Sequence, residues 1–168
     1  MRLTFHGSVL ILGGSSELGR ALALALRAEG AQVCCVCRDD AGCARCAQDG
    51  LPALVLGDPE TLPARCEALL GRPVGHLADL LHSRFEQLVA MAAPEAIERW
   101  ADDDIALRAR CLRAVSRAML ARRFGRCVFS GRRPGRAGTP RPSWPVRACT
   151  AASAWSWPDA ASAPVPPV

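Results

Sequence analysis

The sequence predicts an α/β fold: a doubly wound parallel sheet, incomplete on its C-terminal side, followed by a disordered tail. Three observations lead there. The apolar run 8–12 enters Gly13-Gly14-Ser15-Ser16-Glu17-Leu18-Gly19 and then a row of strong helix formers at 20–29, closed by Gly30. Strand-like and helix-like segments keep alternating to about Ser130. From Gly131 the composition changes: residues 131–168 hold eight of the 13 Pro and three of the four Trp.

The elements follow in order. A second apolar run, 32–37, ends at Arg38-Asp39, and a third, 53–57, ends at Asp58-Pro59. A helical stretch around 62–70 precedes a weaker strand candidate at 77–81. Residues 96–123 read as one long helix, with Ile97, Trp100, Ile105, Leu112, Val115 and Met119 on roughly one stripe. Phe124-Gly125 ends it, and 127–129 is a fifth strand. In the tail, Pro134, Pro140, Pro142, Pro145 and Pro158 forbid long helices, so 1–130 is read as the folded domain and 131–168 as a Pro/Arg/Ala-rich tail.

A strand, a glycine turn and a helix in that order aim free backbone N–H groups and the positive end of a helix dipole at one point, which suits a phosphate. With the next strand also in place, the arrangement reads as a dinucleotide site. Gly13 allows the sharp turn, Gly19 lets the helix pack closely on the sheet, Gly14 and Leu18 lie in the same cofactor loop, and Ser15 and Ser16 offer hydroxyls to the pyrophosphate. The alternative is a purely conformational turn.

The loop also resembles that of the short-chain dehydrogenase/reductase family, including ketoacyl reductases and polyketide ketoreductases. The family's Thr-Gly-x-x-x-Gly-x-Gly is matched by Leu12-Gly13-Gly14-Ser15-Ser16-Glu17-Leu18-Gly19, with Leu12 and Glu17 departing from it. The resemblance continues through Gly30-Ala31-x-Val33, the Asp58 turn, and Trp100 to Phe124-Gly125-Arg126-Cys127-Val128, and covers residues 8–130. It implies a Rossmann-type domain and NAD(P)-dependent reduction of a small-molecule carbonyl. Cys37 stands where NAD-preferring relatives carry Asp and Arg38 follows, so NADP is expected over NAD; the alternative for Arg38 is a solvated strand end. Asp58 matches the family's acidic residue that holds the adenine amino group; otherwise it is a turn former ahead of Pro59. The long helix 96–123 would pair with its counterpart in a homo-oligomer.

Catalysis in that family uses a Tyr proton donor, a Lys that acidifies it, a Ser and an Asn. This chain contains no Tyr, no Lys and no Asn. By count, Asp104 falls where the Asn would sit and Arg132 where the Ser would, and 82–85 replaces Asn-Asn-Ala-Gly after the fourth strand. No catalytic residue is therefore assigned, and an impaired NADP-dependent oxidoreductase is expected. A frameshift or truncation near Ser130 would account for the change in composition. The rival readings are a non-catalytic dinucleotide-binding or interaction module and an Arg-rich nucleic-acid binder.

Charge and cysteine usage bound the remaining classes. Residues 1–130 hold 16 Arg against 15 acidic residues, so the net +5 resides mostly in the tail. The basic stripe Arg110, Arg113 and Arg117 follows acidic residues in the same helix and reads as a solvated face. Nine Cys are an odd number, which argues against a secreted disulfide framework. Cys43-Ala-Arg-Cys46 has zinc-ligand spacing but no second pair, so the cysteines read as small buried hydrophobes and no metal site is assigned. With no apolar run of about 18 residues and no signal-peptide pattern, a cytoplasmic protein without membrane contact is expected.

Overall fold

The computed structural model describes residues 4–81 and 89–129. The expectations for 82–85, for Arg132 and for the tail lie outside these residues. In chain order the elements are β1 (Ser8–Leu12), α1 (Glu17–Ala28), β2 (Val33–Cys37), α2 (Asp40–Gln48), β3 (Ala53–Val55), α3 (Leu62–Leu70), β4 (Val74–Asp79), α4 (Pro94–Trp100), α5 (Leu107–Ala121) and β5 (Arg126–Phe129).

The strands form one five-stranded, all-parallel sheet in the order β3-β2-β1-β4-β5. The chain runs from β1 outward to β2 and β3, then returns past β1 to lay down β4 and β5. The strand order therefore reverses between β1 and β4. Parallel strands need helical crossovers, and these cover both faces, so β1 and β2 are buried along their whole length. Leu10, Leu12, Cys34, Val36 and Leu77 face α3 and α5, where Cys66, Cys111, Val115 and Met119 complete one core layer. Val9, Ile11, Val33, Cys35 and Cys37 face α1 and α2, against Ala23 and Cys46. Adjacent cysteines of β2 thus enter opposite layers, as strand alternation requires. Each fully buried Leu or Ile contributes about 1.5–3 kcal/mol.

Four elements differ from the sequence reading. The fourth strand is Val74–Asp79, starting three residues before and ending two residues before 77–81, because its pairing places Leu10 beside Leu77 and Leu12 beside Asp79. The third strand is shorter than 53–57, ending at Val55. The helix read as 96–123 is interrupted by a π-helical stretch, Ala101–Ala106, between α4 and α5. Helix α2 had no periodic signal, since Gly42 and three Asp or Cys positions are poor helix formers; it is started by Asp39, whose Oδ1 accepts from the Gly42 N–H at 2.7 Å.

Asp79, at the carboxyl end of β4, is 3 % exposed. Its Oδ1 accepts from the Leu81 N–H at 3.0 Å, and its Oδ2 accepts from Arg108 Nε and Nη2 at 2.9 and 2.8 Å. One carboxylate thereby ties the chain leaving β4 to α5. Removing the cation would leave a buried, unpaired charge. Arg108→Met should lower stability by about 3 kcal/mol, read as a reduced urea midpoint at unchanged slope. Asp79→Leu combined with Arg108→Met should regain part of that loss.

At the amino edge of the sheet, His76 of β4 stands edge-on to Phe5 and Phe124, with centroids 5.8 and 5.5 Å away. Its Nε2 is buried with no hydrogen-bond partner among the described residues. Burial, reinforced by Arg126 and His6, pushes its pKa below the ordinary 6.5. The fold therefore favours neutral imidazole, whereas the unfolded chain protonates at the ordinary value. This stabilisation is complete above about pH 6.5 and is lost as pH falls through and below it. Urea midpoints measured from pH 8 to pH 5 (about three units) should decline more steeply for the native chain than for His76→Phe.

Candidate functional site

The glycine turn lies at the carboxyl edge of the sheet, beside the reversal of strand order, which is where open α/β sheets take ligands. Three glycines set its shape. Gly13 has φ +76°, and a Cβ there would stand 2.8 Å from the Leu80 carbonyl oxygen. At Gly14 a Cβ would stand 2.6 Å from Cβ of Cys35, and at Gly19 it would stand 2.5 Å from the Gly13 carbonyl oxygen. The first turn of α1 thus rests directly on the turn that feeds it.

Hydrogen bonding divides the seven residues into two groups. The N–H groups of Gly13 and Gly14 both bond to the Val36 carbonyl, at 3.1 and 3.0 Å. Ser16 caps α1: its Oγ accepts from the Gly19 N–H at 3.0 Å and donates to the Gly13 carbonyl at 2.8 Å. These groups build the turn, and the Ser16 hydroxyl proton is engaged within it. The backbone N–H groups of Ser15, Glu17 and Leu18 have no partner among the described residues. They stand at the positive end of the α1 dipole, next to the Ser15 hydroxyl, an arrangement of the kind that suits an anion. Glu17 is exposed at the same end, and Leu18 is 56 % exposed.

The other two candidate residues follow along the same edge. Arg38 is exposed immediately after β2, next to the Asp39 cap of α2. Asp58 follows β3 and starts a single 3₁₀ turn, its Oδ1 accepting from the Glu60 N–H at 3.1 Å. Since β1, β2 and β3 are neighbours, the turn, Arg38 and Asp58 all lie beyond the carboxyl ends of adjacent strands. The sequence reading missed Asp79 and Arg108, which hold the β4 side of the same edge. A lone carboxylate inside Leu77-Ala78-Asp79-Leu80-Leu81 was the available signal, because such a group demands a buried partner.

The remaining candidates separate from this edge. Asp104 lies in the π-helical stretch; its Oδ2 accepts from Trp100 Nε1 at 3.1 Å, and its Oδ1 is buried without a hydrogen-bond partner among the described residues. In the basic stripe, Arg113 pairs with Glu60, and beyond it Arg122 pairs with Glu67 at 2.6 Å. A cavity of about 380 Å³, lined by His6, Pro73, Val74, Arg122 and Phe124 among others, opens at the opposite, amino edge. Among the described residues, no group of three or more His, Cys, Asp or Glu is arranged to hold a metal ion. No described helix is long and apolar enough to cross a membrane.

The chain matches no family model, and no curated protein sequence is similar to it. It is similar in structure to the TT0495 protein from Thermus thermophilus, in two solved structures, with 23% identity and a TM-score of 0.63 in both. Each match covers 74% of this chain and 55% or 53% of the solved one, so the chain spans about half their length. At that identity the likeness shows the fold alone.

The contact between Gly19 and the Gly13 carbonyl generates a direct expectation. Gly19→Ala should destabilise the chain by about 1–3 kcal/mol, the usual consequence of overpacking, despite the better helix propensity of Ala. The denaturation midpoint measures it.

Proposed function

We propose that this chain is an NADP-binding oxidoreductase-type protein of the short-chain dehydrogenase/reductase kind, which holds its cofactor but lacks the means to protonate a reduced carbonyl. The observation that carries the reading is the set of unpartnered N–H groups at Ser15, Glu17 and Leu18, at the N-terminus of α1 and beside the strand-order reversal. The pyrophosphate would rest on these groups and the Ser15 hydroxyl. Arg38 would meet the ribose 2′-phosphate and Asp58 the adenine amino group. When bound, the nicotinamide supplies hydride to a carbonyl carbon.

The developing alkoxide then needs a proton. The chain has no Tyr and no Lys, and Asp104 already accepts from the Trp100 indole. Loss of general acid catalysis lowers rates by about a hundred- to ten-thousandfold. The absence of Tyr and Lys favours, as second reading, a dinucleotide-binding module that does not turn over. Exposed Ile105 and Leu120, 60 % and 51 % accessible, support self-association along the long helix.

Fluorescence titration of the purified chain with NADPH and NADH tests the cofactor reading. Arg38→Ala should weaken NADPH binding by about ten- to a hundredfold, the worth of one charged hydrogen bond, and leave NADH nearly unchanged. Equal losses would remove Arg38 from the 2′-phosphate, and no binding of either cofactor would overturn the proposal. Carbonyl-dependent NADPH oxidation should stay far below a reductase-like rate; robust turnover would overturn the catalytic part.

A further inference from the structure

We propose that Cys37 and Cys46 are a disulfide-forming pair, closed by a low-molecular-weight disulfide that enters through Cys43, and that closing this bond loosens the glycine turn above it. The inference goes beyond the dinucleotide reading and does not depend on it. Cys37 ends β2, Cys46 lies in α2, and their sulfurs are 3.6 Å apart between the two elements. Cys35 lies in the same core layer and Cys43 packs against it, so the four thiols share one cluster. A disulfide requires about 2.05 Å between sulfurs, so a modest shift of α2 against β2 closes the bond.

Access selects this pair. Cys35, Cys37 and Cys46 are buried, whereas Cys43 is half-exposed and packs against the core layer that holds Cys37. Cys34 and Cys66, on the opposite face, are both fully buried in the other core layer. Burial pushes the thiols of both Cys37 and Cys43 above their ordinary value, so exchange needs alkaline pH, and solvent exposure makes Cys43 the point of entry.

The chemistry is sequential thiol–disulfide exchange. The Cys43 thiolate attacks one sulfur of the small disulfide and expels the first small thiolate. Cys37 then attacks the Cys43 sulfur and expels the second. Cys46 attacks the Cys37 sulfur, and Cys43 departs as a thiolate and is reprotonated. In sum, two protein S–H bonds are exchanged for one S–S bond, the small disulfide is reduced to two thiols, and those thiols carry away both protons.

The glycine turn lies on this cluster. Cys46 Sγ–H donates to the Gly14 carbonyl at 3.6 Å, a donor that the disulfide removes. Gly14 rests against Cys35 with no room for a methyl group, and Gly42 of α2 presses on Ser15, where a Cβ would stand 3.0 Å from the serine Cβ. Displacement of α2 is therefore passed to the turn.

The test uses the full chain, reduced and then incubated with glutathione disulfide at mildly alkaline pH. Trypsin cleaves after Arg27, Arg38, Arg45 and Arg65, separating Cys37, Cys43 and Cys46 into different peptides. Expected are an intact mass lower by two hydrogens, a Cys37–Cys46 cross-link located by fragmentation, and slower formation of the same bond in Cys43→Ser. Hydrogen exchange should show the Gly13, Gly14 and Ser16 amides losing protection on oxidation and regaining it on reduction. A cross-link between Cys34 and Cys66 instead, a Cys46 that stays fully alkylatable, or turn amides that exchange equally in both states would overturn the proposal.

Discussion

The bare backbone contact between the glycine turn and the sheet is what the remaining structure is built around. Gly14 lies on Cys35, and Gly19 lies on the Gly13 carbonyl, each closer than any side chain would permit. This approach sets the start of α1, and so determines which amides are consumed by the turn and which are left facing outward. It also seals the upper core layer, where Cys35 and Cys46 pack beneath the turn. A methyl group at either glycine would meet neighbouring atoms at under 3 Å and strain the contact between the turn, α1 and the sheet.

On the other side of the strand-order reversal the anchoring is electrostatic rather than steric. Asp79 is a buried carboxylate with both oxygens used, one by the Leu81 amide and the other by Arg108. Desolvation makes such a pair a weak source of net stability but makes the loss of either partner severe. Its effect is to hold the segment after β4 to α5, opposite the turn after β1. The carboxyl edge is thus fastened by close packing on one side and by an ion pair on the other.

The groups at this edge suit charge recognition better than proton transfer. Backbone amides, a serine hydroxyl and an exposed arginine are suited to an anionic ligand. Proton transfer needs a group that changes charge near neutrality, and Asp104 is already engaged by an indole. The titratable groups the fold concentrates are thiols in its interior, several of them held protonated by burial and by one another. Their reactivity is a question of access, which explains why Cys43, rather than its buried neighbours, is the point of entry.

The sequence alone was enough for the α/β class, the first two strands, the helix between them and the position of the glycine turn. These depend on local properties: apolar runs of strand length, helix formers in a row, and glycines where the chain must turn. Local pattern did not specify the division of labour within the turn, because whether the Gly14 amide meets a phosphate or the Val36 carbonyl depends on a strand some twenty residues away. The start of β4 was misplaced for the same reason: its register is set by pairing with β1, and Leu80-Leu81 looks as strand-like as Leu77-Ala78 until that pairing is imposed. Pairing of Asp79 with Arg108, the π-helical interruption before α5, and the gathering of Cys35, Cys37, Cys43 and Cys46 into one cluster were likewise decided by tertiary packing. Each joins groups that are separate in the chain, and only burial makes their company energetically necessary.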